Sequence, residues 1–66
     1  MGFVSDLKPI ASEFNLLYLE DEAQIRDQFS RYFAKIFKNV YTAENGVLGV
    51  SSFEQHDVDI IITDVN

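Results

Sequence analysis

An α/β fold, with three parallel strands separated by two helices, is predicted by three observations. Two short apolar runs, Leu16-Leu17-Tyr18-Leu19 and Val58 through Ile62, the latter interrupted by Asp59, are continuous rather than alternating, as in strands covered on both faces of a parallel sheet. Between them lies a segment with apolar residues at steps of three and four, the period of a helix. Extended and helical stretches then alternate along the chain, which argues for βαβ crossovers.

The first strand is the run that begins at Leu16. The helix that follows spans 22–38, where Ile25, Phe29, Tyr32, Phe33, Ile36 and Phe37 form one apolar stripe. Glu22/Arg26 and Asp27/Arg31 stand four apart with the acid first, the better order for helix support. Lys35 and Lys38 stand near its C-terminus, where the macrodipole favours cations. Asn39-Val40-Tyr41-Thr42-Ala43 reads as the second strand. Asn45 is a good N-cap for a second helix ending near Gln55, with Val47, Val50 and Phe53, joined by Leu48, on its buried side. Gly49 inside that helix costs about 1 kcal/mol relative to alanine, so it implies either close packing or a loosely held helix. The third strand, over 58–62, is rich in isoleucine, a β-branched residue that suits a pleated surface. Residues 1–14 read as an N-terminal extension. Phe3, Leu7, Ile10 and Phe14 keep helical spacing there, with Pro9 tolerated only in a first turn.

Composition narrows the function. The 66 residues allow one small domain. There is no cysteine and a single histidine, so disulfides, thiolate metal sites and a typical zinc site are excluded. The net charge is -6 and the five basic residues are dispersed, whereas nucleic-acid binding normally needs a basic patch. Apolar stretches fall far short of the roughly 20 residues that span a bilayer. The start of the chain has no basic region followed by an apolar run, as a signal peptide would. Nothing requires an oxidising compartment, which fits the cytoplasm.

The acids carry the chemistry. Glu20-Asp21 closes the first strand and Asp64 the third. In open parallel sheets, ligands bind outside the carboxyl ends of the strands. If the two strands are neighbours, three carboxylates converge. Like charges at about 4 Å repel by about 4 kcal/mol at an effective dielectric of 20, and a divalent cation relieves that most simply. An all-oxygen site with open positions suits Mg²⁺. Each acid alone has a blander reading. Asp21 with Gln24 resembles a capping box, Asp64 could open a turn, and Glu20 could be a solvated strand end. Their joint placement after two buried-type strands favours a site. His56, in a polar loop beside Gln55 and Asp57, reads as a solvent-exposed histidine rather than a phosphodonor, and Tyr18 with the phenylalanines as core.

Leu16-Leu17-Tyr18-Leu19-Glu20-Asp21-Glu22, Tyr41-Thr42-Ala43-Glu44-Asn45-Gly46 and Asp59-Ile60-Ile61-Ile62-Thr63-Asp64-Val65-Asn66 together resemble the N-terminal half of a CheY-like response-regulator receiver domain, from about residue 15 to residue 66. The resemblance implies a partial flavodoxin-like fold, β-α-β-α-β with parallel strands ordered 2-1-3, truncated before strands 4 and 5; CheY is a standard instance of the full 2-1-3-4-5 order. It implies that Asp64 is the phosphoacceptor and that Asp21 binds Mg²⁺ directly. Glu20 would assist through water, and the backbone carbonyl of Asn66 would complete the protein ligands. A sensor histidine kinase would be the phosphodonor, and the transfer would be self-catalysed. The Ser or Thr after strand 4 and the Lys after strand 5 of a complete receiver lie beyond the motifs present, so transfer is expected to be impaired, and Thr63 is on the wrong strand to replace the hydroxyl.

An unfinished sheet would leave the third strand as an apolar edge, and such edges invite pairing. A homo-oligomer is therefore expected, with an association module lacking phosphotransfer as the alternative function. A Mg²⁺-dependent phosphohydrolase of another α/β family is weakened by Asn66, where those enzymes usually carry a second Asp.

Overall fold

The computed structural model describes residues 11–63. Five elements follow in order: β1 (Asn15–Leu19), α1 (Ala23–Phe33), β2 (Asn39–Ala43), α2 (Gly46–Gln55) and β3 (Ile60–Thr63). The three strands form one sheet in the order β2-β1-β3, and both pairings are parallel. The architecture is thus α/β and matches a partial flavodoxin-like arrangement, with β1 central, in the order 2-1-3 that the resemblance implies. Residues 1–10 of the expected extension lie outside the described residues, as do Asp64, Val65 and Asn66. No described helix is long and apolar enough to cross a membrane.

Alternation along β1 divides its side chains between two faces. Leu16, Leu17 and Tyr18 are all buried. Tyr18 turns toward α1, where its ring meets Phe29 and Phe33 edge-on at centroid distances of 6.3 and 5.3 Å. Such T-shaped pairs place a positive ring edge against a negative face. Leu17 and Leu19 turn toward α2. Helix α2 meets Leu19 through Gly49, its one buried residue, where a Cβ would lie 3.0 Å from Leu19 Cδ2. Gly49 therefore signals close packing, the question its spacing left open.

That close approach overturns the expected buried stripe on α2. Val47, Leu48, Val50 and Phe53 are exposed, Val47 by 81%. The helix touches the sheet along its small-residue line, so the larger side chains flank the contact instead of filling it. Val50 and Phe53 instead border an apolar groove of about 350 Å³ with Leu17, Leu19 and Ile61. The isoleucine-rich run is likewise only half covered. Ile60 and Ile62 are half-buried and Ile61 is 51% exposed, because β3 pairs on one side only among the described residues.

The first helix is shorter than its apolar period predicts. It stops at Phe33, after which Lys35 N–H donates to the Tyr32 carbonyl and Ile36 N–H to the Phe33 carbonyl, tightening the chain into three-residue turns. The Lys38 N–H then reaches the Phe14 carbonyl at 2.9 Å. The helix yields because the chain must turn back in time to pair Asn39 with Asn15. The capping box also shifts: the N-cap is Glu22, not Asp21, and it makes no side-chain cap bond. Helix α2 begins as expected, with Asn45 Oδ1 accepting from the Leu48 N–H at 2.9 Å.

Register is fixed at the amino end of the sheet by Asn15. Its N–H donates to Asp59 Oδ2 at 2.8 Å and its side-chain amide to the Asp57 carbonyl at 2.6 Å. Its Oδ1 accepts from Asn39 Nδ2 at 2.9 Å. One side chain at the start of the central strand thereby ties down both neighbours.

Candidate active site at the carboxyl ends of the strands

The register sets Leu19 level with Ala43 on one side and Thr63 on the other. The turns that leave all three strands therefore begin at the same height. A pocket of about 320 Å³ opens there, lined by Leu19, Glu20, Asp21, Glu44, Asn45, Gly46 and Thr63. Its position is where an open parallel sheet binds its ligand, because neighbouring loops diverge to opposite faces.

Glu20 is the best held residue of the pocket. Only 3% of it is exposed, which rules out the blander reading of a solvated strand end. Its N–H donates to the Ala43 carbonyl at 3.0 Å, extending the β1–β2 ladder one step past the strand. Glu20 Oε2 accepts from the Glu22 N–H at 3.1 Å, and Oε1 from the Tyr18 hydroxyl at 3.5 Å, the outer limit of hydrogen bonding. A buried carboxylate without such donors would be costly. The Arg26 Nη1 donates to the Glu20 backbone carbonyl at 2.8 Å. Arg26 thus leaves the surface pair with Glu22 that its spacing predicts. The other predicted pair forms, Arg31 to Asp27 at 3.2 Å, and is exposed.

Asp21 is exposed at the pocket mouth, beside its buried neighbour. Of the four site residues proposed from the sequence, Glu20 and Asp21 are thus brought together, while Asp64 and Asn66 fall outside the described residues. Glu44 and Thr63 join the pocket without having been singled out for it. Glu44 could have been found by the rule that selected Glu20, since each acid directly follows a strand. Arg26 carried no such signal, because its partner is a backbone carbonyl.

Every polar side chain lining the pocket offers oxygen, apart from the Asn45 amide nitrogen, and hard divalent cations prefer oxygen. Within the pocket Asp21 is open to solvent and Glu20 is buried. Among the described residues, no three His, Cys, Asp or Glu side chains are grouped closely enough to hold a metal ion by themselves. His56 takes no part in the pocket. It is exposed at the other end of α2 and stacks on Tyr41 with ring centroids 4.0 Å apart.

No protein-family model, curated protein or solved structure matches this chain.

Proposed function

We propose that this chain is a receiver module of two-component signalling, in which Asp64 accepts a phosphoryl group from the phosphohistidine of a sensor kinase. One observation carries the reading. Glu20-Asp21 follows β1, and Thr63, the residue before Asp64, ends β3 at the same level of the adjacent strand, beside an oxygen-lined pocket. An Asp64 carboxylate oxygen forms the new bond to phosphorus while the bond to the kinase imidazole nitrogen breaks, and the freed imidazole takes up a proton. Asp21, with Glu20 behind it, Asp64 and the Asn66 carbonyl would hold Mg²⁺. Bound there, the cation would offset the repulsion between carboxylates and phosphoryl oxygens. Glu20 accepts from the Glu22 N–H and the Tyr18 hydroxyl, which hold its carboxylate at the end of β1.

The test is beryllofluoride with Mg²⁺, followed by NMR of the pocket amides, alongside mass spectrometry after treatment with a small acyl phosphate. The expected result is a Mg²⁺-dependent change at Glu20, Asp21 and Glu44, with one added phosphoryl group that Asp64→Ala abolishes. An unchanged spectrum and mass in the parent chain would reject the reading.

A second reading, an association module, is favoured by a different observation: the apolar groove bordered by half-exposed Ile61 on β3, a strand that pairs on one side only among the described residues. Apolar surface of this kind beside a free strand edge promotes self-pairing.

A further inference from the structure

We propose that Arg26 is a positioning residue that holds the Glu20-Asp21 turn in the shape a cation can use. This rests on the receiver reading of that turn. The Glu20 carbonyl belongs to the peptide unit that joins the two acids. A peptide unit is planar and stiff, so its orientation sets the last torsion of Glu20 and the first torsion of Asp21 together. The Arg26 Nη1 bond to that oxygen, at 2.8 Å, therefore governs where the Asp21 side chain leaves the chain relative to Glu20. The opposite edge of the turn is held by the Glu22 N–H on Glu20 Oε2.

The bond also crosses elements. Arg26 sits one turn into α1 and is half-buried, lining a cleft with Thr42, Ala43 and Glu44 at the end of β2. A guanidinium is charged at all working pH values, and charged donors make hydrogen bonds roughly twice as strong as neutral ones. Its positive charge lies beneath a turn that carries Glu20, Asp21 and Glu22 in succession. It thus both orients the peptide and offsets the crowding of acids before any cation is present. Arg31, one and a half turns further along the same helix, pairs instead with exposed Asp27 and is not among the described residues lining the pocket.

The test compares the parent chain with Arg26→Met, Arg26→Lys and the outward control Asp27→Ala, each ¹⁵N-labelled. Two quantities are read: the Glu22 amide shift and exchange rate without metal, and the Mg²⁺ midpoint from the pocket amides. Arg26→Met should expose the Glu22 amide to exchange while leaving the Leu16 and Leu17 amides protected. It should weaken Mg²⁺ binding by about tenfold, as loss of an outer-shell partner typically does. Arg26→Lys retains one charged donor and should fall between the parent and Arg26→Met, and Asp27→Ala should match the parent. The proposal is overturned if Arg26→Met keeps the parental Glu22 amide and midpoint, or if Leu16 and Leu17 lose protection equally, since Arg26 would then merely support the fold. If the parent shows no Mg²⁺ response while Arg26→Met still frees the Glu22 amide, the receiver reading falls and the cation-positioning role falls with it.

Discussion

Gly49 lies directly on Leu19: a Cβ at position 49 would stand 3.0 Å from Leu19 Cδ2 and 3.3 Å from Cδ1. The contact sets how closely α2 approaches the sheet. Alanine would gain about 1 kcal/mol in helix propensity. It would also push on the flexible end of a side chain that borders an open groove. Gly49→Ala should therefore shift the urea midpoint only slightly. Gly49→Val adds bulk that the Leu19 tip cannot absorb and should destabilise by about 1–3 kcal/mol, the usual cost of overpacking. A Gly49→Val midpoint equal to the parent would show that α2 is not seated on Leu19.

Asn15 should matter more than a half-exposed polar residue normally does. Replacing it with alanine removes its side-chain bonds to the Asp57 carbonyl and Asn39 Nδ2. With net values near 1 kcal/mol each, the expected loss is about 1–2 kcal/mol. Amide exchange should report it as faster opening at Ile60 and Val40, on both flanking strands. Acceleration on one strand alone would contradict the clamp.

Asn45→Ala removes the acceptor for the Leu48 N–H and should cost about 1 kcal/mol. Asn45→Asp keeps the acceptor and should restore the loss. By contrast, Arg31→Ala, which breaks only the exposed pair with Asp27, should change stability by less than about 0.5 kcal/mol. Thermal melts of the three variants side by side make the comparison.

Ile61 bears on association. It is 51% exposed on β3 and borders the apolar groove. Sedimentation of the parent chain should show mass rising with concentration through the micromolar range. Ile61→Lys should shift it toward monomer, because a charged edge residue blocks strand pairing. A parent that stays monomeric throughout would exclude self-association.

Most of the local structure was legible in the sequence. Strand β2, the start and end of α2, its Asn45 cap and the place of β1 follow from features only a few residues apart, and each stands where the spacing put it. The acids Glu20 and Asp21 were legible for the same reason, since the pair directly follows an apolar run. Where expectations failed, the deciding partner was distant. The end of α1 was set by the pairing of Asn39 with Asn15 and the exposure of Phe53 by the seating of Gly49 on Leu19, neither of which periodicity registers.

The order of elements, the parallel α/β class and the two acids that close β1 all follow from local pattern. Caps, turns and apolar periods act over one or two helical turns, so a linear reading captures them. It took the folded arrangement to bury Glu20 rather than leave it solvated, to turn Arg26 to the Glu20 carbonyl rather than Glu22, and to bring Asn15 to Asp59 from 44 positions away. Those choices depend on which groups the folded chain brings within about 3 Å and which remain without water, because buried polar atoms must find partners wherever packing leaves them.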